Sequence, residues 1–238
     1  MKIVNRLIKK TLNQIGLDVI RLSKIPTHTF LGLRHLPIKT VIDVGANEGQ
    51  FAKMISNIFP KAHIYCFEPI PVAYAKLNKW AEQRGGVTIF NVALGESEGE
   101  ADMLIHPAHS PSSSLLETTE ICETIYPFTK QQVKTKVKLT TLDKALFQHV
   151  NSLAPDILVK LDVQGYEDRV IKGGEETFKT AKACILEVCL DQLYENQATF
   201  KDILSLLYKL GYQYSGNLDQ AYADDGHTIF IDAVFSKL

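Results

Sequence analysis

Thr40-Val41-Ile42-Asp43-Val44-Gly45-Ala46-Asn47-Glu48-Gly49-Gln50 reads as a buried β-strand that runs into a glycine turn and then a helix. A second apolar run ends on a carboxylate at Phe67-Glu68-Pro69. An open α/β sheet binds its ligand at the carboxyl ends of its strands, where such turns lie. The turn and Glu68 together therefore predict a nucleoside-bearing ligand. Gly45 and Gly49 are spaced G-x-x-x-G, without the middle glycine of the G-x-G-x-x-G dinucleotide fingerprint. A pyrophosphate would lose its close backbone approach there, whereas a cofactor without phosphates needs none. S-Adenosylmethionine fits this pattern. Backbone groups of the turn and Asp43 suit its amino-acid end, and Glu68 can accept from both ribose hydroxyls.

Strand–helix alternation surrounds this unit. Strand one spans 40–45, and the helix after it carries Phe51, Met54, Ile55, Ile58 and Phe59 on one face before Pro60. Strand two covers about 62–67, a helix 71–84 ends at Arg84-Gly85-Gly86, and strand three covers 87–94. The segment 95–140 breaks the rhythm. It holds two alternating pieces, 100–105 and 133–139, around the polar stretch Ser110-Pro111-Ser112-Ser113-Ser114. The pieces are expected to pair as antiparallel strands, and loop 108–116 is either a specificity lid or a free turn. Thr141 then caps a helix over 142–150, followed by strand four at 156–162, helical stretches at 166–172 and 175–181, strand five at 183–189, a helix at 197–210, and a hairpin over 212–236 turning at 222–226. The predicted fold is α/β: a Rossmann-like open twisted sheet, mostly parallel, with a C-terminal antiparallel hairpin and an inserted segment at 95–140. Residues 1–39 form an N-terminal helical appendage and connector, and 40–238 the ligand-binding domain.

The chain has 238 residues and a net charge of −1, so bulk charge favours no partner. The distribution is uneven. Residues 1–40 hold eight Lys or Arg against Asp18 alone, a +7 arm on a −8 remainder. Residues 2–15 form an amphipathic helix, with Val4, Leu7, Ile8, Leu12 and Ile15 opposite Lys2, Arg6, Lys9 and Lys10. That apolar face either docks on the domain or on a second copy, or lies on a membrane surface, for which residues 1–20 have the required basic and apolar faces. Cys66, Cys122, Cys184 and Cys189 form no C-x-x-C pair and suit a reducing cytoplasm. No apolar run approaches the ~20 residues of a membrane span, and no continuous apolar stretch makes a secretory signal. An acidic body without a basic, aromatic-laced patch argues against nucleic acid as the substrate.

A second constellation is Leu158-Val159-Lys160-Leu161-Asp162-Val163-Gln164-Gly165-Tyr166-Glu167, where strand four ends beside strand one. Asp162 either projects over the cleft or caps the following helix. Glu187 sits inside the apolar run Ala183–Cys189, where a carboxylate is costly unless it faces a polar cavity. In this order, Val41–Gly49, Phe67-Glu68-Pro69, Asn91-Val92-Ala93-Leu94-Gly95, Thr141-Leu142-Asp143 and Lys160–Glu167 resemble the motifs of the FkbM-type methyltransferases, over roughly residues 38–236. The resemblance implies the class I S-adenosylmethionine-dependent fold and O-methylation of a hydroxyl on a sugar, glycolipid or natural product. It places Gly45, Ala46 and Asn47 at the amino-acid end of the cofactor, Glu68 at the ribose with Pro69 beside it, Asn91, Val92 and Ala93 near the adenine, and Asp162 near the reacting methyl. Gln164 stands where the family usually has Glu.

Methyl transfer to an alcohol needs alignment and a base. Asp162 and Glu187 are the acids expected to serve as that base, with His106 and His109 of the inserted segment as a second choice. Carboxylates also suit a magnesium ion, although no ligand spacing demands one. Two other classes stay open. One is a nicotinamide-dependent oxidoreductase on the same architecture, and the other is a non-catalytic cofactor-binding or membrane-adaptor module. A homo-oligomer is compatible with the sequence.

Overall fold

The computed structural model describes residues 11–149 and 153–237. Its centre is a seven-stranded sheet with the order β3-β2-β1-β7-β8-β10-β9. The strands are β1 (Thr40–Val44), β2 (His63–Phe67), β3 (Val87–Phe90), β7 (Ile157–Leu161), β8 (Ala183–Cys189), β9 (Gln213–Tyr222) and β10 (Thr228–Ser236). Strands β1, β2, β3, β7 and β8 pair in parallel, and β10 runs antiparallel to both of its neighbours. This is the mostly parallel sheet with a reversed C-terminal hairpin that the alternation predicts.

All five residues of β1 are buried, because helices cover both faces. The period-two alternation of a strand then sorts side chains into two cores. Ile42, Val44, Val159, Leu161 and Leu186 pack on one face. Val41, Ile64, Leu158, Ile185 and Val234 pack on the other. The second face carries the chemistry. Asp43 follows Val41 on it, Lys160 follows Leu158, Glu187 follows Ile185, and Asp232 precedes Val234. Register aligns Asp43 with Lys160 and Glu187 with Asp232, so the apolar layer gives way to a row of charged groups near the carboxyl ends of the parallel strands. All four cysteines are buried and unpaired.

Helix α1 (Gln50–Ile58) starts at Gly49, and α2 (Pro71–Arg84) starts with proline in its first turn. The strand expected over 87–94 stops at Phe90. Its last two residues, Ala93–Leu94 (β4), join a separate three-stranded sheet beside β6 (Val133–Thr140), which pairs antiparallel with β5 (Gly99–Ile105). At the break, Asn91 Nδ2 donates to the carbonyls of Glu68 and Pro69, at 2.9 and 3.0 Å, and turns the chain out of the main sheet. The predicted pairing of the two alternating pieces holds, with Gly99 opposite Leu139 and Ile105 opposite Val133.

The connector before β1 forms short helical turns at Leu22–Lys24, Pro26–Thr29 and Phe30–His35. Phe30, Leu33 and Ile38 are buried in the same core as Val41. Of the expected N-terminal helix, residues 11–14 are helical and Ile15 is 70% exposed. Val4, Leu7 and Ile8 lie outside the described residues. Among the described residues no helix is long and apolar enough to cross a membrane.

Candidate active site

The turn after β1 is built around one close approach. Gly45 has φ +75°, and a Cβ there would lie 1.8 Å from the Asp162 carbonyl oxygen. Only glycine tolerates both the backbone angle and the contact. The bare backbone brings the end of β1 against the end of β7. Asn47 takes φ +44° in the same turn. Its N–H donates to Glu68 Oε2 at 2.8 Å, while Ile70 N–H donates to Oε1 at 2.7 Å.

Glu68 is therefore fixed by two backbone amides at the tip of β2. It is 3% exposed, and burial pushes its carboxyl up to about 7 against the pull of those two donors. A carboxylate offers about four acceptor positions, so two remain for a ligand diol.

The turn, Glu68 and the inserted segment enclose a cleft of about 340 Å³. Gly45, Ala46, Asn47, Glu68, Pro69, Val92 and Ala93 form part of its wall, and Asp162 and Glu187 line it as well. Asp43, Gly49 and Asn91 do not reach that wall, for three different reasons. Asp43 is fully buried beneath the turn. Gly49 faces Leu77. Asn91 holds the backbone behind Glu68. Neither His106 nor His109 lines the cleft. His106 is buried with Nδ1 at 3.2 Å from the Gln131 carbonyl, and burial lowers its pKa, while His109 is exposed.

The acids belong to a charge network. Burial, with the nearby Asp162 charge, raises Asp43 to about 6 against the opposing pull of Lys160. Neither Asp43 oxygen has a hydrogen-bond partner among the described residues, and Lys160 Nζ stands 3.9 Å from Oδ1. Lys160 Nζ donates to Asp162 Oδ2 at 2.8 Å. Burial pulls the Lys160 ammonium down, but Asp162 and Asp43 lift it above its usual value, so it stays charged. Asp43 thus supports Lys160, which in turn orients Asp162. Glu187 is pushed well above the carboxylate range by burial, then by Asp162, Asp232 and Glu167. Asp232, also on the cleft wall, rises to about 6 through burial and Asp162.

Gln164 connects the acids. Its Nε2 donates to Asp162 Oδ1 at 2.7 Å and to Glu187 Oε1 at 2.5 Å. The inserted segment covers the cleft from above with Met103, Ser110, Ser113 and Leu115. Asn47 Nδ2 donates to Ser110 Oγ at 3.1 Å, and Ser114 Oγ donates to the Gln164 carbonyl at 2.7 Å.

Lys160, Asp232 and Tyr194 are site residues that sequence reasoning did not single out. Lys160 and Asp232 are charges inside apolar strand runs, the same signal that marked Glu187. Tyr194 had no such signal: it comes from an irregular segment bridged to Thr118. Among the described residues no group of three or more His, Cys, Asp or Glu is arranged to hold a metal ion, so no geometry here calls for magnesium.

The geometry can bind a diol at Glu68 and present carboxyl groups to a hydroxyl in the same cleft. Comparison with known proteins identifies the family. A family model described as the methyltransferase FkbM domain matches residues 43–214. The chain is 28% identical over 184 residues to the 2-O-methyltransferase NoeI of Sinorhizobium fredii, covering 74% of each chain. It is 28% identical over 156 residues to the methyltransferase sdnD of Sordaria araneosa, covering 57% of this chain and 60% of the relative. Among solved structures, SMU.1697c, a putative methyltransferase from Streptococcus mutans in complex with SAH, aligns over 90% of this chain and 99% of its own at a TM-score of 0.48 and 10% identity, too remote to bear on chemistry.

Proposed function

We propose, from the premise that this chain belongs to the FkbM methyltransferase family, that it methylates a hydroxyl oxygen on a sugar, glycolipid or natural product. The chain is an S-adenosylmethionine-dependent methyltransferase by family, which sets aside the oxidoreductase and the non-catalytic module. The 2-O-methyltransferase among its relatives supports oxygen as the acceptor atom. The observation that supports the reading is that Glu68, Asp162 and Glu187 line one cleft.

S-Adenosylmethionine supplies an electrophilic methyl group on a sulfonium. The residues present fit that cofactor. The Gly45–Asn47 backbone takes the amino-acid end, Glu68 takes the ribose diol, and Val92 and Ala93 flank the adenine. Pro69 closes the wall beside Glu68, and Asn91 keeps that wall in place from behind. Glu187 or Asp162 accepts the proton of the attacking hydroxyl. Alignment of the reacting atoms supplies up to ~7–11 kcal/mol in favourable intramolecular cases, and a placed base adds ~10²–10⁴-fold. Both acids line the cleft and both accept from the Gln164 amide, so either is placed to take the proton.

A screen of hydroxylated acceptors with labelled cofactor tests the proposal. Label in alkali-stable ethers of sugars or polyols is expected, and label confined to amines or thiols overturns it.

We also infer that residues 1–20 contact an anionic membrane surface. Ile15, Leu17, Val19, Ile20 and Leu22 are each more than half exposed beside a +7 arm. Co-sedimentation with vesicles containing anionic lipid, lost on deleting residues 1–20, is the expected result. A dimer in solution that dissociates on the same deletion, with no vesicle binding, would assign the face to a second copy.

A further inference from the structure

Gln164 has a hydrogen-bond arrangement that a solvated loop amide does not need. Both of its amide hydrogens are committed, one to Asp162 and one to Glu187. Its Oε1 lies 2.5 Å from the Tyr194 hydroxyl. Asn and Gln amides can be turned end for end, and here the turn matters. Ionised carboxylates only accept, so Nε2 faces Asp162 and Glu187, and Oε1 is left to accept from the Tyr194 hydroxyl. With the amide reversed, its oxygen would face two acids.

Tyr194 is held in place for that bond. It is 2% exposed, and its hydroxyl is also 3.2 Å from the Ser112 carbonyl. A Cβ on Gly165 would lie 3.1 Å from the Tyr194 side chain, so the glycine is what lets the ring come in. Gln164 itself takes φ +57°, a left-handed conformation that is strained for a non-glycine residue and persists where its surroundings dictate it. Ser114 Oγ secures its carbonyl from the inserted segment.

Two acids that share a cleft repel, and one of them commonly takes up a proton to relieve the repulsion. A shared N–H₂ donor between them relieves it differently, by stabilising negative charge on either one. We propose that Gln164, oriented by Tyr194, is a positioning residue that holds Glu187 beside Asp162 as the proton-accepting pair of the methyl transfer. The proposal rests on reading Asp162 and Glu187 as the acceptor-side acids. Gln164 does not touch the cofactor wall, and it acts through its two neighbours.

The groups that face Glu187 are Asp162 and Lys160 from the β7 side, Asp232 from β10, Glu167 from the helix Glu167–Gly173, the Cys189 thiol on its own strand, and the phenols of Tyr126 and Tyr194. Lys160 alone among them carries positive charge. Replacing the amide by a further carboxyl therefore removes a donor and adds an acid to this group, in which Lys160 is the one cation.

The test needs no known acceptor. The carboxyl titration of Glu187 is followed by carbon NMR in protein saturated with S-adenosylhomocysteine, its signal assigned by loss in E187Q. In Q164E the midpoint is expected to move up by at least about one pH unit, a tenfold change in proton affinity. In Y194F, which keeps the ring and removes the donor, it moves in the same direction by less. Affinity for S-adenosylhomocysteine, measured by calorimetry, should match wild type in both variants. If Q164E fails to fold, Y194F and Q164M carry the test. Midpoints indistinguishable from wild type in folded, ligand-binding variants overturn the proposal. Once an acceptor is identified, the acidic limb of the rate profile should follow the NMR midpoint. An NMR shift with an unmoved limb would keep Gln164 as the residue that places Glu187 but remove the pair from proton acceptance, which also overturns the proposal.

Discussion

Glu68→Ala is the substitution that most directly tests the cofactor site. The carboxylate is placed to accept from both ribose hydroxyls while it already accepts from Asn47 N–H and Ile70 N–H. Each charge-assisted bond to the diol contributes ~1.5–3 kcal/mol, so truncation removes ~3–6 kcal/mol of binding. That corresponds to ~10²–10⁴ in Kd. The same truncation strands two buried backbone donors at ~1–3 kcal/mol each, less whatever water enters the space left behind. The melting temperature should fall while a cooperative transition survives. Calorimetry with S-adenosylmethionine reads the first effect and a thermal melt the second. pH supplies an internal check. The Glu68 carboxyl stands at about 7 in the unliganded protein and must be ionised to accept from both hydroxyls. Wild-type Kd should therefore weaken about tenfold per pH unit below 7, with a proton released on binding. The Ala variant should lose the part of this dependence that Glu68 supplies. Affinity within threefold of wild type in Glu68→Ala would refute the ribose assignment outright.

Gly45→Ala forces a Cβ against the Asp162 carbonyl at φ +75°, so it should abolish cofactor binding and lower the melting temperature; a normal melt with normal affinity would contradict the close approach described here. Asp162→Asn should lower kcat by ~10²–10⁴-fold with cofactor affinity nearly unchanged, and wild-type turnover would remove Asp162 from catalysis. Segment 108–116 should gain protection from hydrogen exchange when cofactor and acceptor are added together, and unchanged exchange would make it a free turn. Asp43, Glu68 and Glu167 stand at about 6, 7 and 7 in the fold against ordinary values of 3.8, 4.5 and 4.5. Folded values above the unfolded ones mean a contribution to stability that is full below pH about 4 and is lost as pH rises to about 7. Urea melts of the unliganded protein should show this decline, and stability rising across the same interval would count against the burial of these acids.

The strand–turn–helix at 40–50 and Glu68 were legible because their signals are local: apolar period, glycine at a forced turn, and a carboxylate at a strand tip. The end of strand three was not, because Asn91 ends it by reaching carbonyls some twenty residues back in the chain. Asp43 shows the limit of reading a strand without depth. Its position in the motif is right for the cofactor, but its side chain points under the turn toward Lys160 rather than into the cleft. Glu187 was recognised as a charge in a buried run, and Lys160 and Asp232 obey the same logic. What joins them is register, Asp43 beside Lys160 and Glu187 beside Asp232, and register belongs to the assembled sheet. Tyr194 depends on a bridge between two irregular segments and carries no periodic signal.

The cover over the cleft is fastened at two places, Ser110 on the Asn47 side chain and Ser114 on the Gln164 carbonyl. Substrate preference in this protein is therefore coupled to cofactor grip. Grafting the segment from a relative with a different acceptor would exchange both fastenings at once, and a chimera designed for a new specificity would need a matching change at position 47 to keep its hold on the methyl donor, whereas the backbone carbonyl at 164 is offered by any residue.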